Sequence, residues 1–287
     1  MSFSAAQAGA YLHHLAFESA APARLATFYA SAMDMAVRQT AGDEWRCEGP
    51  ARRMIIKPGE NKALAFAGLA CRDAEAVESL KARADAAGVA IEASPSPYFE
   101  PGAFSVRDPL GHVICFGVSA PSEGPDGEQP RTPHGRLQGP TQHLTFAAKD
   151  VGPFVQFYHE TLGFRLIDRV LHEDGSLATA FTTSNHEHHT IACFKSNRNG
   201  VDHHSYEAGD WTVIRDWCDH FAAQDIQLMW GPGRHGPGNN LFIFIEDPDG
   251  NWIEVSAELE VVHDRPCKDW PQHPRTLNLW GEAILRS

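Results

Sequence analysis

Three residues in the second half of the chain have the side chains and spacing of a metal centre: His143, His203 and Glu254. Two imidazoles and one carboxylate, each on a different predicted strand, form the facial triad that holds a divalent iron and leaves coordination positions open. Oxygen-activating iron needs these positions, because substrate and O₂ must both reach the metal. A structural zinc site would instead use four protein ligands, more often with thiolates.

The choice of His203 over its neighbour His204 rests on the alternation of side chains along a strand. In the segment HLTF, residues 143–146, the ligand-type histidine stands three residues before a core aromatic, and Tyr206 stands three residues after His203. Choosing His204 would turn Glu207 toward the helix-packed core, which is costly for a carboxylate. His204 stays the alternative ligand.

These candidate ligands lie in the second copy of an internal repeat. Three patterns recur in the same order in both halves. The first is HLxF, beginning at His14 and His143, with Phe-Tyr starting 14 residues after the histidine. The second is an aspartate, Asp73 or Asp210, with a turn residue 15 positions later, and the third is Asp-Pro-x-Gly within residues 108–115 and 247–254. In the first copy, the positions equivalent to the three candidate ligands hold His14, Phe66 and Cys115. The first copy therefore lacks the second histidine and the carboxylate.

The elements that must position these residues follow from the hydrophobic periodicity. Residues 143–150 alternate as a half-buried strand, and residues 153–162 have helical spacing and end before a glycine. Each half repeats a strand, a helix and further strands around a turn. The predicted fold is α+β, with two tandem modules, each made of paired βαβββ units whose curved mixed sheet encloses a site.

The predicted domain boundaries follow a shift in composition. Residues 119–140 are rich in proline, glycine and charge, which is typical of a linker. They separate an N-terminal module without metal, 10–118, from a C-terminal metal-bearing catalytic module, 141–258. A tail, 259–287, carries enough large apolar residues to pack against a module or a partner subunit.

Charge and cysteine usage restrict the class of protein. The 287 residues carry a net charge of −13 without a Lys/Arg cluster, which argues against nucleic acid or an anionic membrane as partner. No apolar run approaches the length of a membrane span, and the N-terminus lacks a secretion signal. Six cysteines stand singly, as expected for reduced thiols in a cytoplasmic protein.

Residues 10–258 resemble the type I extradiol ring-cleavage dioxygenases of the vicinal oxygen chelate superfamily, which also contains glyoxalase I. The most specific part is GRHGPGNNLFIFIEDPDGNWIE, residues 233–254, which has the family's Gly-x-His, aromatic strand, Asp-Pro-x-Gly turn and liganding Glu. A second match is HHT at 188–190. Family members commonly pair an inactive N-terminal module with a metal-bearing C-terminal module.

The resemblance implies an Fe(II) enzyme, with Mn(II) as the other possible metal, that cleaves the ring of a catechol-type substrate with O₂ in aromatic hydrocarbon catabolism. It implies His143, His203 and Glu254 as ligands, and His189 and His235 as the catalytic histidines. In this mechanism His189 stabilises the developing anion and returns a proton. No residue is assigned to an organic cofactor, and a homo-oligomer is expected.

One position departs from the family pattern. Nine residues after the signature histidine the family usually has a tyrosine, and this chain has Phe244. Two alternative functions remain open at this level: a glyoxalase-like metal-dependent isomerase or lyase, and a metal-free small-molecule-binding protein on the same fold. The usual ligand set of a glyoxalase-like enzyme draws on both modules. Because the first module has Phe66 and Cys115 at two of the equivalent positions, the isomerase or lyase is disfavoured.

Overall fold

The computed structural model describes residues 4–121 and 137–284. Within these residues the chain forms two mixed sheets, one from each half of the sequence. The elements of the first half are α1 (Ala5–Ala8), β1 (Tyr11–Ser19), α2 (Pro22–Ala32), β2 (Ala36–Gln39), β3 (Trp45–Gly49), β4 (Arg52–Pro58), β5 (Leu64–Ala70), α3 (Ala74–Ala86), β6 (Glu92–Ala93), β7 (Phe104–Arg107) and β8 (Val113–Gly117). Their strands lie in the order β2-β3-β4-β1-β5-β8-β7-β6.

The second half repeats this arrangement. Its elements are β9 (Thr141–Ala148), α4 (Gly152–Val155) continued by a π-helix (Gln156–Thr161), β10 (Arg165–Leu171), β11 (Leu177–Thr183), β12 (Ile191–Lys195), β13 (Gly200–Glu207), α5 (Trp211–Ala223), β14 (Trp230–Arg234), β15 (Leu241–Glu246), β16 (Trp252–Ala257), β17 (Lys268–Pro271) and α6 (Pro274–Leu277). The strand order is β14-β15-β16-β13-β9-β12-β11-β10-β17. The predicted α+β fold of two modules with paired βαβββ units is confirmed.

The repeated sequence patterns have equivalent structural roles in the two halves. Asp73 and Asp210 are the N-cap residues of α3 and α5, and each side chain accepts hydrogen bonds from backbone N–H groups of the first helical turn. Fifteen residues later, Gly88 and Asp225 both adopt positive φ, 76° and 57°, where the chain leaves the helix. The equal spacing therefore reflects two helices with the same start and the same end.

Two phenol–carboxylate contacts connect the halves reciprocally. The Tyr29 hydroxyl of the first half donates to Asp247 of the second at 3.4 Å, and the Tyr158 hydroxyl of the second donates to Asp108 of the first at 3.1 Å. All four side chains are buried. The repeated Phe-Tyr and Asp-Pro-x-Gly patterns thus join the modules to one another.

The tail adds to the second sheet. Strand β17 pairs in parallel with β10, and α6 follows it along the chain. Residues 122–136 of the predicted linker lie outside the described residues, and the module boundaries stay predictions. None of the helices in the described ranges is long and apolar enough to cross a membrane.

Candidate metal centre and active site

Three neighbouring strands bring the predicted ligands together. His143 lies on β9, His203 on β13 and Glu254 on β16, and these strands are adjacent in the order β16-β13-β9. One donor atom from each residue lies within 4.8 Å of the other two, and all three residues are buried. The Nε2 atoms of His143 and His203 lie 2.9 and 3.3 Å from the same oxygen of Glu254, Oε2.

The adjacent histidines of β13 point to opposite faces of the sheet. His203 faces Glu254, whereas His204 faces the helix-covered core, where its ring lies near Phe17 and Tyr29 of the first module. The Tyr29 hydroxyl is 3.1 Å from His204 Nε2. His203 therefore joins the candidate centre and His204 contributes to the contact between modules.

Polar neighbours orient both histidines toward the centre. His143 Nδ1 lies 3.2 Å from Gln142 Oε1, and His203 Nδ1 lies 2.6 Å from Asp202 Oδ1. Because these oxygens can only accept, each Nδ1 carries a hydrogen, which leaves Nε2 as the nitrogen that would bind a metal in place of its contact with Glu254. The amide of Asn240 donates to Glu254 Oε1 at 3.1 Å. A neutral imidazole with a free Nε2 is the form that binds a metal.

Burial and charge have opposing effects at this centre. Burial raises the pKa of Glu254, but the neighbouring histidines outweigh burial and hold its pKa well below the ordinary value. Burial lowers the pKa of His203, yet hydrogen bonds with Asp202 and Glu254 outweigh it and raise that pKa. For His143, burial dominates over Glu254 and its pKa is lowered. A buried carboxylate that stays ionised requires a compensating cation.

The donor set fits a divalent transition metal. Two imidazole nitrogens and one carboxylate converge from one side, which is the arrangement typical of non-haem iron. Two further buried polar atoms in the lining of the small cavity around the set, Thr145 Oγ1 and Asn240 Oδ1, have no hydrogen-bond partner among the described residues. A bound ion with its water or substrate ligands would supply partners at this place.

His189 lies against the centre without belonging to the donor set. Its ring centroid is 4.2 Å from that of His143 and 5.2 Å from that of Phe181. Burial and the neighbouring His143 lower its pKa well below the ordinary value. The residue lines the same small cavity as the three donors.

His235 is positioned by the C-terminal tail. Its Nδ1 donates to the backbone carbonyl of Leu277, and its ring stacks on Phe242 with 4.0 Å between centroids. Its Nε2 lies 3.6 Å from Glu254 Oε1. The contribution of the tail to this site is not evident from the sequence, because no pattern connects residue 277 to residue 235.

A larger cavity of about 420 Å³ opens beside the centre. His203, His235 and Phe244 line it, and Phe244 presents an edge to His203 with ring centroids 5.2 Å apart. Apolar walls come from Trp230, Leu277 and Ile284, and polar groups from His172, Lys195, Asn197, Asp202 and Gln272. A cavity of this size accommodates a substituted aromatic ring.

The first module has an apolar cluster where the second has the donor set. The strand register confirms that Phe66 is equivalent to His203, since Phe66 pairs with Ala16 and His203 pairs with Thr145. It likewise confirms that Cys115 is equivalent to Glu254, since Cys115 pairs with Gly68 and Glu254 pairs with Ser205. The members of the cluster are Ala16, Ile55, Phe66, Ala70, Phe99 and Cys115. The remaining histidine, His14, has its Nε2 2.8 Å from Ser96 Oγ.

Several residues that orient the site escaped the sequence analysis. Gln142 and Asp202 directly precede the two candidate histidine ligands, so a polar residue before each of them was the available signal. Asn240 lies within the signature segment but was not singled out. Leu277 is far from the motifs in sequence and carried no local signal.

Comparison with known proteins identifies the family. The model of the Glyoxalase/Bleomycin resistance protein/Dioxygenase superfamily matches residues 141–255, which include the three donors. This part of the chain is therefore similar to members of that superfamily. The resemblance found in the sequence is therefore confirmed.

Relatives in this superfamily are extradiol dioxygenases at low identity. Metapyrocatechase 2 of Cupriavidus necator is 24% identical over 220 residues, which cover 71% of this chain and 67% of that protein. Biphenyl-2,3-diol 1,2-dioxygenase of Paraburkholderia xenovorans (strain LB400) is 27% identical over 270 residues, 85% of each chain. An iron-dependent extradiol dioxygenase of Rhodococcus jostii (strain RHA1) is 24% identical (80% and 81% covered), and a manganese-dependent 2,3-dihydroxybiphenyl 1,2-dioxygenase of Geobacillus genomosp. 3 is 22% identical (77% and 75%).

A solved structure matches the fold of both halves. Homoprotocatechuate 2,3-dioxygenase from Arthrobacter globiformis superposes with a TM-score of 0.80 at 22% identity, covering 96% of this chain and 88% of that one. This similarity shows that both halves of the chain share the fold of that structure.

Proposed function

We propose that this protein is an Fe(II)-dependent extradiol dioxygenase that cleaves the ring of a catechol-type substrate with O₂. The observation that carries the proposal is the buried set His143, His203 and Glu254, with both Nε2 atoms turned to one carboxylate oxygen. The named activities of the relatives in the superfamily support the same reaction class.

The metal would supply binding of both reactants and a positive charge that favours loss of a catechol proton. His143, His203 and Glu254 would hold it, with the Nδ1 partners Gln142 and Asp202 fixing the two rings. These ligands leave one side free, because all three come from neighbouring strands of a single sheet.

Two histidines outside the donor set would handle protons and the substrate. His189 is buried beside His143 and lines the same small cavity, so a nitrogen of its ring could accept a substrate proton and later return it. His235 is held by Leu277 with Nε2 on the side of Glu254, where it can hydrogen-bond a substrate oxygen. Phe244 offers no hydroxyl group, so His189 and His235 would carry out the proton transfers.

The lining of the larger cavity supports an aromatic substrate. Trp230 and Phe244 stack with ring centroids 5.3 Å apart and an interplanar angle of 22°, and both line the cavity next to His203. Apolar aromatic walls exclude water and bind a flat ring by its faces and edges. Polar groups at Lys195 and Gln272 would contact a substituent on that ring.

The proposal names iron over manganese and catechol 2,3-type cleavage. The relatives include an iron-dependent and a manganese-dependent enzyme, and histidine nitrogens with a carboxylate bind Fe(II) as well as Mn(II). Analysis of the metal content of the purified protein therefore decides between the two ions. It also includes a cytoplasmic location, supported by six free cysteines, and a homo-oligomer without nucleic acid or membrane as partner. The acidic net charge of −13 supports the last part.

Anaerobic reconstitution with Fe(II) or Mn(II), followed by oxygen uptake with a panel of catechols, tests the function. We expect stoichiometric oxygen consumption with at least one catechol and a product opened beside the two hydroxyls. His143→Ala is the matched control without a complete donor set. Metal-loaded protein that consumes no oxygen with any catechol would refute the proposal, and a metal-catalysed isomerisation without oxygen would favour the glyoxalase-like alternative.

A further inference from the structure

A buried carboxylate lies behind His189, on the side away from the donor set. Asp168 on β10 is 1% exposed and receives hydrogen bonds from Trp270 Nε1 at 2.7 Å and from an Arg265 nitrogen at 2.8 Å. His188 Nε2 is 3.0 Å from Asp168 Oδ2. His188 Nε2 has no partner with hydrogen-bond geometry among the described residues, so the carboxylate acts on it as a charge at close range.

The line of contacts continues from His188 to His189. Their Nδ1 atoms are 3.0 Å apart and their rings are nearly perpendicular, at 89°. Since two lone pairs repel at this distance, one Nδ1 must carry a hydrogen and the other must accept it. The direction of hydrogen donation between His188 and His189 therefore depends on which nitrogen of His188 is protonated.

We propose that Asp168 and His188 act as a positioning pair that fixes the tautomer of His189, with hydrogen on Nδ1 and a lone pair on Nε2. An ionised carboxylate can only accept, so the proton of neutral His188 lies on Nε2, facing Asp168. Its Nδ1 then accepts from Nδ1–H of His189. The one remaining nitrogen of His189 is Nε2, which has no hydrogen-bond partner among the described residues.

The assignment deepens the proposed function and rests on it for its catalytic meaning. A general base needs a lone pair on the nitrogen available to the substrate, and the other tautomer of His189 would present a hydrogen there. Burial strengthens the preference, because a hydrogen bond left unmade inside the protein costs more than one at the surface. Asp168 and His188 are absent from the lining of both cavities beside the donor set, so their polar contact with the site runs through His189.

The tautomer can be measured directly in the full-length protein loaded with diamagnetic Zn(II). Two-bond ¹⁵N–¹H correlation spectra distinguish protonated from unprotonated ring nitrogens. We expect protonated Nδ1 and unprotonated Nε2 at His189, and the reverse at His188. Protonated Nε2 at His189, or a doubly protonated His188, would overturn the proposal whether or not the protein proves to be a dioxygenase.

Two substitutions separate the roles of the ring nitrogens of His188. In His188→Asn the amide oxygen takes the place of Nδ1 and can still accept from His189, whereas in His188→Gln the amide lies near Nε2 and contacts only Asp168. We expect His188→Asn to keep the His189 tautomer and most of kcat. We expect His188→Gln to give mixed tautomers and a kcat about 10–100-fold lower, with KM and metal content unchanged.

Equal loss of kcat in both variants at unchanged tautomer would make His188 a packing residue and overturn the assignment. Absence of oxygen consumption in the wild type, with the expected spectra, would refute the proposed function and leave the tautomer assignment standing. The spectra of the wild type decide the assignment even where a variant does not fold.

Discussion

Replacing either of the adjacent histidines on β13 by alanine should give opposite defects. His203→Ala removes a donor whose Nε2 lies 3.3 Å from Glu254 Oε2. Removing only an orienting partner of a metal ligand costs about 10–100-fold in affinity, so loss of the ligand itself should exceed about 100-fold. The variant should remain folded, because the His203 side chain faces Glu254 and the cavity and not the helix-covered core.

His204→Ala should instead destabilise the protein and leave metal binding within about threefold of the wild type. The substitution empties the space of a buried ring between Phe17 and Tyr29, and it removes a hydrogen bond to the Tyr29 hydroxyl. A buried aromatic-to-alanine change costs about 3–5 kcal/mol, and imidazole is smaller than benzene. His204 Nδ1 has no partner among the described residues, which offsets part of the loss, so about 2–3 kcal/mol remains.

Two measurements on the same preparations test this pair: Fe(II) affinity by competition with a chelator under anaerobic conditions, and thermal unfolding without metal. At about 2–4 °C per kcal/mol, His204→Ala should lower Tm by roughly 6 °C, and His203→Ala should change it little. Loss of metal binding in His204→Ala with retention in His203→Ala would show that the strand register is wrong by one residue.

Four other outcomes follow from the site. Glu254→Gln should keep the fold and lose most Fe(II) affinity, measured by metal content after gel filtration; full retention would show that the carboxylate is not a ligand. His189→Gln should retain metal and anaerobic catechol binding while kcat falls about 10²–10⁴-fold, and iron loss in this variant would make His189 a ligand. Metal analysis should give one ion per chain, unchanged by His14→Ala; a second ion that disappears in this variant would contradict the apolar assignment of the first module. Burial raises the pKa of Glu207 from 4.5 to about 7, so the folded protein holds this proton more tightly than the unfolded chain. Stability should therefore fall as pH rises from about 4.5 to about 7. Glu207→Gln should reduce the Tm difference between pH 5 and pH 8, and an unchanged Tm difference would refute the pKa shift.

The fold could be predicted because the repeat fixes it independently of any single motif. Asp73 and Asp210 begin equivalent helices, and Gly88 and Asp225 end them, so equal sequence spacing carries equal geometry. The pairing of β17 with β10 could not be predicted, because a short strand that joins a sheet edge far away in sequence leaves no periodic signal. The length and composition of the tail indicated that it packs against a module or a partner, but not which strand it contacts.

For the site, the alternation of strand residues was sufficient to separate His203 from His204, which the structure places on opposite faces. The orienting residues were harder to find. Asp168 and Leu277 act through contacts that depend on the path of the chain around the sheet, and neither residue type is unusual at its position. A partner that accepts through a backbone carbonyl, as Leu277 does, has no sequence signature at all.

The reciprocal contacts of Tyr29 with Asp247 and of Tyr158 with Asp108 follow the rule of an isologous dimer, in which residue i of one copy meets residue j of the other and j meets i. Both contacts occur here within one polypeptide, so the chain has the internal symmetry of a twofold dimer whose subunits are covalently joined. Each half carries one tyrosine and one aspartate of the pattern, and two copies of a single half would therefore be complementary to each other. The two halves are nevertheless unequal: the symmetric contacts join them, while the first half has Phe66 and Cys115 where the second half has two of its candidate metal donors.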